Sequence, residues 1–308
     1  MQSPFTTLRL PGPFARRRGR GAAFDYASLF ANGEQGVVLI SKDMATRYQD
    51  ATGITPVTAA GDPVGLMLDK SEGLARGLEL VTNGTFDDGL SGWETEIIGD
   101  GTVTLVDGGV ELSGTDSDNR AILKQEGLTD QLVDGRFYEV SFDVLSISGE
   151  IQAGIGFDVG SNLTIDLDTS SEGNRRGIFQ YNGGNRFIWF RTTFSGSTAV
   201  IGNVTIREIK GNHAVQEDAA KRPEYRNNPP HLLRDGLDDS LDWTAPAGAY
   251  TVARVNAAGA VTIETEQALD DATDIFHEDT VAGYVAIDRE LTAGETSDLT
   301  AYLQGLVA

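Results

Sequence analysis

The densest gathering of groups that could hold a polar ligand lies between Tyr181 and Arg191, in the run Tyr-Asn-Gly-Gly-Asn-Arg-Phe-Ile-Trp-Phe-Arg. Aromatic rings can stack on the apolar face of a sugar, while amide and guanidinium groups hydrogen-bond its hydroxyls. Tyr181, Asn182 and Asn185 fall on a glycine-rich loop, although Asn-Gly pairs are turn formers first. If 186–194 is one strand, Arg186, Ile188, Phe190 and Thr192 share one face, and Phe187, Trp189 and Arg191 share the other. Trp189 beside Arg191 on an outer face would be a sugar platform, whereas Trp189 on the inner face would be core. Alternation leaves both open, with core the commoner fate of a tryptophan in a strand.

A second run, Asp166-Leu-Asp168-Thr-Ser-Ser-Glu-Gly-Asn174, sets oxygen side chains at alternating positions before a glycine. Calcium takes several such oxygens at about 2.3–2.6 Å, so Asp166 and Asp168 are candidate calcium ligands. The match is partial, because no acidic residue follows at the spacing of a full twelve-residue loop, and acidic loops also simply solvate an acidic protein. Other chemistry is scarce. There is no cysteine, and the three histidines (His213, His231, His277) are too few and too scattered for a histidine metal centre. No nucleophile elbow, phosphate loop or zinc-protease helix is present. A carboxylate pair for sugar cleavage stays open only because acids are abundant, so the expectation is a protein without enzymatic activity, with a glycan depolymerase as the alternative.

The formal net charge is −22. Such a surface repels phosphate, which argues against nucleic acid or an anionic membrane as partner. No stretch approaches the roughly 18–20 apolar residues of a membrane span. The exception to the acidity is residues 1–24, which hold five arginines and no acid. This segment lacks the apolar run of a secretory signal. It reads as a basic arm in which Arg16, Arg17, Arg18 and Arg20 would anchor the chain to an acidic partner, or as a frayed terminus.

Elements that must position these groups follow from periodicity. Gly36–Ile40 is a buried strand, 42–50 a short helical turn, and residues 25–77 make a poor independent domain. Between 78 and 210, Tyr138, Val140, Phe142 and Val144 alternate with Glu139, Ser141 and Asp143, and 102–106 and 204–209 alternate likewise. Strands at 151–159 and 177–194 join them, and turns at intervals of about 8–12 residues predict a β-sandwich. Prolines at 223, 229 and 230 mark irregular chain. A hairpin follows at 250–263, then a strand at 282–287. Thr292 and Glu295 form a capping box for a C-terminal helix whose stripe is Leu299, Tyr302, Leu303 and Leu306.

Two stretches resemble known families. Leu80-Val-Thr-Asn83-Gly-Thr-Phe86-Asp-Asp-Gly89, then Gly92-Trp93, resembles the opening of jelly-roll carbohydrate-binding modules with the galactose-binding-like fold, and 203–209 resembles their last strand. This resemblance covers 78–210. It implies that a calcium near the opening strand would involve Asp87 or Asp88; Trp93, just after that strand, reads as structural. Separately, Gln49–Thr58, Pro63–Gly65 and Leu68-Asp69-Lys70-Ser71 resemble a segment of tailed-bacteriophage tail, fibre and decoration proteins. In that family the Leu-Asp-Lys-Ser run leads almost directly into Gly-Asn-His-Ala; here Gly211-Asn212-His213-Ala214 comes about 140 residues later. Residues 235–241 and 286–293 continue the likeness.

The expected fold is therefore mainly β: a jelly-roll β-sandwich (78–210) inserted into a small mixed β/α host domain (25–77 and 211–308) with a C-terminal helix. The resemblance implies a virion protein, such as a fibre, spike or decoration protein, on the particle surface. Its partners would be other virion proteins and bacterial surface polysaccharide, engaged as a homo-oligomer, with no required cofactor beyond a structural calcium. Tyr181, Asn182, Asn185, Trp189 and Arg191 would hold the glycan. A purely structural decoration protein would instead bury Trp189 and Tyr181.

Overall fold

Alternation along Phe137–Ser148 turns Tyr138, Val140, Phe142 and Val144 into the largest apolar core, as the period-two pattern requires. That strand lies in a six-stranded antiparallel sheet with Gly173–Gln180, Ser197–Ile209, Gly109–Gly114 and Thr102–Val106, while Arg76–Glu79 pairs with Ser197–Ile209. A five-stranded sheet faces it, in the order Ser161–Asp166, Ile151–Asp158, Phe187–Thr192, Arg120–Gln125 and Glu94–Ile98. The two sheets close over one another as a jelly-roll sandwich. The coordinates, a computed structural model, describe residues 24–128, 130–158, 161–184, 186–193 and 195–308. The anchoring candidates Arg16, Arg17, Arg18 and Arg20, and the glycan candidate Asn185, lie outside the described residues.

The sandwich opening shows why its residue types are needed. Asn83, at φ 51°, turns the chain, and its side chain bonds Gly89 O (2.9 Å), Ser91 O (3.2 Å) and Asp88 N (3.1 Å). Gly84 runs against the neighbouring strand, where a Cβ would sit 1.9 Å from Val204 O. Phe86 and Trp93 then pack with ring centroids 5.1 Å apart and planes tilted by 41°, and the Trp93 indole donates to Asn83 O at 3.1 Å. Trp93 is a core residue.

The other sheet draws strands from both ends of the described chain. Its order is Gly36–Ile40, Gly283–Ile287, Asp242–Val255, Ala214–Val215, Leu66–Met67 and Arg47–Tyr48, with Val261–Asp274 along the other side of Asp242–Val255. The helix Ala293–Gln304 covers one face, with its Leu299 and Leu303, and Leu306 just past its end, buried in one cluster with Val38, Ile40, Ala253 and Val285. Its capping box is complete, with Thr292 Oγ1 accepting from Glu295 N and the Glu295 carboxylate accepting from Thr292 N. None of the helices among the described residues is long and apolar enough to cross a membrane.

Three expectations are corrected here. Residues 224–233 are not irregular: Glu224–Asn227 and Pro230–Leu233 form a hairpin joined by Thr280–Val281, with Tyr225 and Leu232 inward. The prolines sit at its tip and ends, where no ladder donor is needed. The helical turn expected over 42–50 is a single 3-10 turn, Met44–Thr46, running straight into the strand Arg47–Tyr48. The hairpin around Asn256 is also far longer, pairing Asp242–Val255 with Val261–Asp274 through two register shifts.

Phe137, Ile178 and Ile209 project from the outer face of the six-stranded sheet and pack on Tyr48, Leu66 and Leu68. Thr52 O accepts from Ile178 N at 2.7 Å, so a loop of the seven-stranded antiparallel sheet caps a sandwich edge. At the crossing point, Lys210 N donates to Ala75 O (3.0 Å), and the chain leaves and re-enters side by side. Asp69 knots the two passes together. Its buried carboxylate accepts from Val38 N (2.7 Å), Ser71 N (2.8 Å), Ser71 Oγ (2.7 Å) and Asn212 N (2.7 Å), and its own N–H donates to His213 Nδ1 (2.9 Å). Gly211 is at φ 119°, and a Cβ there would lie 2.6 Å from the Asp69 carboxylate. Leu-Asp-Lys-Ser and Gly-Asn-His-Ala, far apart in sequence, are thus in direct contact.

Candidate functional site

Strand Phe187–Thr192 is buried along its whole length, which a sheet with one solvated face would not require. Ile188 and Phe190 belong to the sandwich core. Phe187, Trp189 and Arg191 therefore point outward, from the middle of the five-stranded sheet. The register places Trp189 opposite Gly154 on one side and Lys124 on the other, with Glu94 beyond Lys124. Arg191 sits between Gln152 and Ile122, with Glu96 next, and Phe187 lies opposite Gly156. Cross-strand neighbours share a face, so an aromatic pair, glycine backbone, two cations, two acids and an amide meet on one surface. Host residues pack on the opposite sheet of the sandwich, so this face points away from them.

Trp189 lies outside the sandwich core, yet 0% of it is exposed. Both simple alternatives posed by the sequence are therefore corrected: the indole is on the platform face but is not an open platform. Arg191, 8% exposed, places its guanidinium 5.7 Å from the indole centroid. Its Nε donates to Gln152 Oε1 at 3.1 Å, and its Nη2 donates to the same oxygen. Gln152 Nε2 reaches Asp168 Oδ2 at 3.4 Å, and Asp168 Oδ1 accepts from Ala153 N at 2.9 Å. The Trp189 indole N–H is buried without an acceptor. An unmade buried hydrogen bond costs about 1–3 kcal/mol.

Lys124 contacts Glu126 (2.7 Å) and Glu94 (3.4 Å), and lies 5.7 Å from the Phe187 ring. Burial lowers the Arg191 pKa, with Arg120 adding to the effect and Asp168 opposing it. Burial, with the carboxylate of Asp166 nearby, pushes Asp168 up to about 6.

The other candidates are dispersed. Tyr181 belongs to the sandwich core at 5% exposure, so it is corrected from a loop-borne sugar contact to a core residue; its hydroxyl donates to Gly184 O at 2.8 Å. Asn182 is exposed on that loop. The four aspartates do not gather. Asp87 accepts from Thr85 Oγ1 (2.7 Å), Asp88 N donates to Asn83 Oδ1, and Asp166 Oδ1 accepts from Asp168 N (3.0 Å). Neither pair acquires a third carboxylate among the described residues. The acidic triplet that does form, Asp235, Asp238 and Asp239, has ligand atoms within 4.8 Å of one another on the other domain. His213 is buried, and its Nδ1 accepts from Asp69 N at 2.9 Å. Lys124, Gln152, Glu94 and Glu96 escaped sequence reasoning, although the alternation of Arg120–Gln125 could have placed Lys124 on an outward face.

No family model matches the chain, and no curated protein matches it. Among solved structures, the enzymatically active domain of tailspike protein 4 of bacteriophage CBA120 aligns with TM-score 0.34 and 17% identity, over 42% of this chain and 21% of that one. This chain thus spans about a fifth of that tailspike domain. A CBM4 structure aligns with TM-score 0.31 and 14% identity, over 42% of this chain and 99% of that one. A mutant of a family 29 carbohydrate-binding module aligns with TM-score 0.30 and 14% identity, over 44% of this chain and 85% of that one.

Proposed function

We propose that the chain is an accessory protein of a phage-type particle that binds bacterial surface glycan reversibly through the outer face of its five-stranded sheet. The observation that carries this reading is that face itself. It points away from the host strands and sets Trp189 and Phe187 among Arg191, Lys124, Gln152, Glu94 and Glu96. Two aromatic rings amid hydrogen-bonding groups would suit a pyranose, whose ring has an apolar face and hydroxyl edges, once a ring face is uncovered. The particle role rests on the resemblance of 49–71 and 211–241 to phage fibre and decoration proteins. The host strands and the basic arm would attach the chain to other virion proteins on the particle surface, and many copies would turn weak binding into avidity. No bond is broken in this mechanism.

A structural spacer is the second reading, favoured by the burial of both Trp189 and Tyr181. Retention of the full chain on a panel of bacterial surface polysaccharides, with calcium and with a chelator, separates the readings. Saturable retention, weakened at least about tenfold by Trp189→Ala in a protein that keeps its fold, supports binding at this face. No retention even in multivalent form leaves the spacer. Release of new reducing ends would make the protein a depolymerase instead. Loss of retention on chelation would identify calcium as a structural cofactor.

A further inference from the structure

We propose that the outer edge of the strand Val261–Asp274 is a docking surface for the chain's own basic N-terminal arm, residues 1–23. The arm lies outside the described residues. This docking is independent of the glycan reading above.

Among the described residues Val261–Asp274 is the longest edge strand. Its fourteen residues pair with Asp242–Val255 on one side and with no strand on the other. Such an edge presents a row of unpaired N–H and C=O groups to any extended chain. Glu266 (φ 55°) and Asp271 (φ 62°) interrupt its regularity, and the pairing with Asp242–Val255 shifts register twice. A kinked edge of this kind is a poor flat template for a second copy of itself.

Charge narrows the occupant. Residues 255–288 hold eight acids and no lysine or arginine. Glu264 is paired with Arg254 (2.7 Å) and Asp274 with Arg234 (3.4 Å). Glu266, Asp270 and Asp271 are exposed, without an ion-pair partner among the described residues. Two such edges repel one another, because like charges placed opposite each other destabilise a strand pair. An extended basic segment is attracted instead, and the arm is one, with five arginines and no acid.

Position favours the chain's own arm. It joins the described chain at Phe24, whose ring centroid lies 5.5 Å from that of Tyr302 on the C-terminal helix. Phe24, Tyr302, Val261 and Ile263 all pack against one apolar cluster, so the arm starts from the same helix-covered face as the edge strand. Fully extended, the arm reaches about 75 Å, against roughly 45 Å for a strand of this length. A tethered segment meets its site at an effective concentration of the order of millimolar, which another copy in dilute solution does not match. The attachment role given to the arm above then requires a partner surface that outcompetes this edge.

Amide hydrogen exchange on the full chain tests the docking. Amides of 261–272 that point away from Asp242–Val255 are expected to exchange at least about fivefold more slowly in the native sequence than in two variants. One replaces Arg16, Arg17, Arg18 and Arg20 by serine; the other combines Glu266→Gln, Asp270→Asn and Asp271→Asn. Both variants should keep the near-UV spectrum. Salt at about 0.5 M, which screens charges beyond roughly 4 Å, should weaken the protection in the native sequence. Unchanged exchange in the arginine variant overturns the docking. Protection that survives in the edge variant overturns the role of these acids. Protection found only in a species heavier than one chain by light scattering overturns the intramolecular assignment and gives the edge to another copy.

Discussion

At the residue scale, the most constrained group is the knot of Asp69 and His213, and its chemistry has a definite sign. Burial lowers His213 from 6.5 to about 3. Between those values the unfolded chain takes up a proton that the folded chain refuses, so acidification costs stability. Asp69 works oppositely: burial, against its four hydrogen-bond donors, pushes it from 3.8 up to about 6. Its contribution is fully present below about 4 and is lost as the pH rises through 6. The two slopes offset one another between about pH 4 and 6, and below pH 4 the His213 loss stands alone. Urea denaturation across pH 4–7 is therefore expected to show opposite changes: His213→Asn gains stability on acidification from pH 6 to 4 relative to wild type, and Asp69→Asn loses it. Parallel changes would mean that the two groups do not titrate as the structure places them. Residue chemistry was only half legible in sequence. That Trp189 and Arg191 share a face followed from strand alternation, but which way that face points, and the residue that pins Arg191, did not. Gln152 stands 39 positions away on another strand, and no local pattern marks an amide as a clamp.

At the element scale, legibility followed strand length. Phe137–Ser148 was readable because a dozen residues repeat the alternation, and the C-terminal helix because its cap is written in adjacent residues. Arg47–Tyr48, Leu66–Met67 and Ala214–Val215 have two residues each, too few for any period to register. They exist only because partners from distant sequence hold them. The helix makes a direct test. Thr292→Ala removes the acceptor for Glu295 N and is expected to cost about 1 kcal/mol in a thermal melt. Glu295 has a second duty, binding Arg289, which also bonds Glu34 (3.2 Å) and Leu29 O (3.1 Å). Glu295→Ala should thus destabilise more than Thr292→Ala, and equal losses would show that the Arg289 link contributes nothing.

At the scale of the whole molecule, the chain is a sandwich threaded into a host through one double crossing. Among the described residues, the sandwich core and the two host cores meet at a small apolar patch around Phe137, Ile178 and Ile209. Replacing residues 74–210 by a short glycine linker is accordingly expected to leave a host that still melts cooperatively, since Ser71 and Asn212 already meet at Asp69. A molten product would show that the sandwich supplies structure the host lacks. The same crossing governs how the sandwich can move. A domain strung on one linker swivels about a single bond, but here two backbone passes leave together, bonded at Ala75 and Lys210 and continued as the paired strands Arg76–Glu79 and Ser197–Ile209. Tension on the sandwich divides between the two passes, and twist meets resistance that one tether cannot supply. The host strands would therefore hold the sandwich at a set angle, and a load on the sandwich would reach them as torque as well as pull.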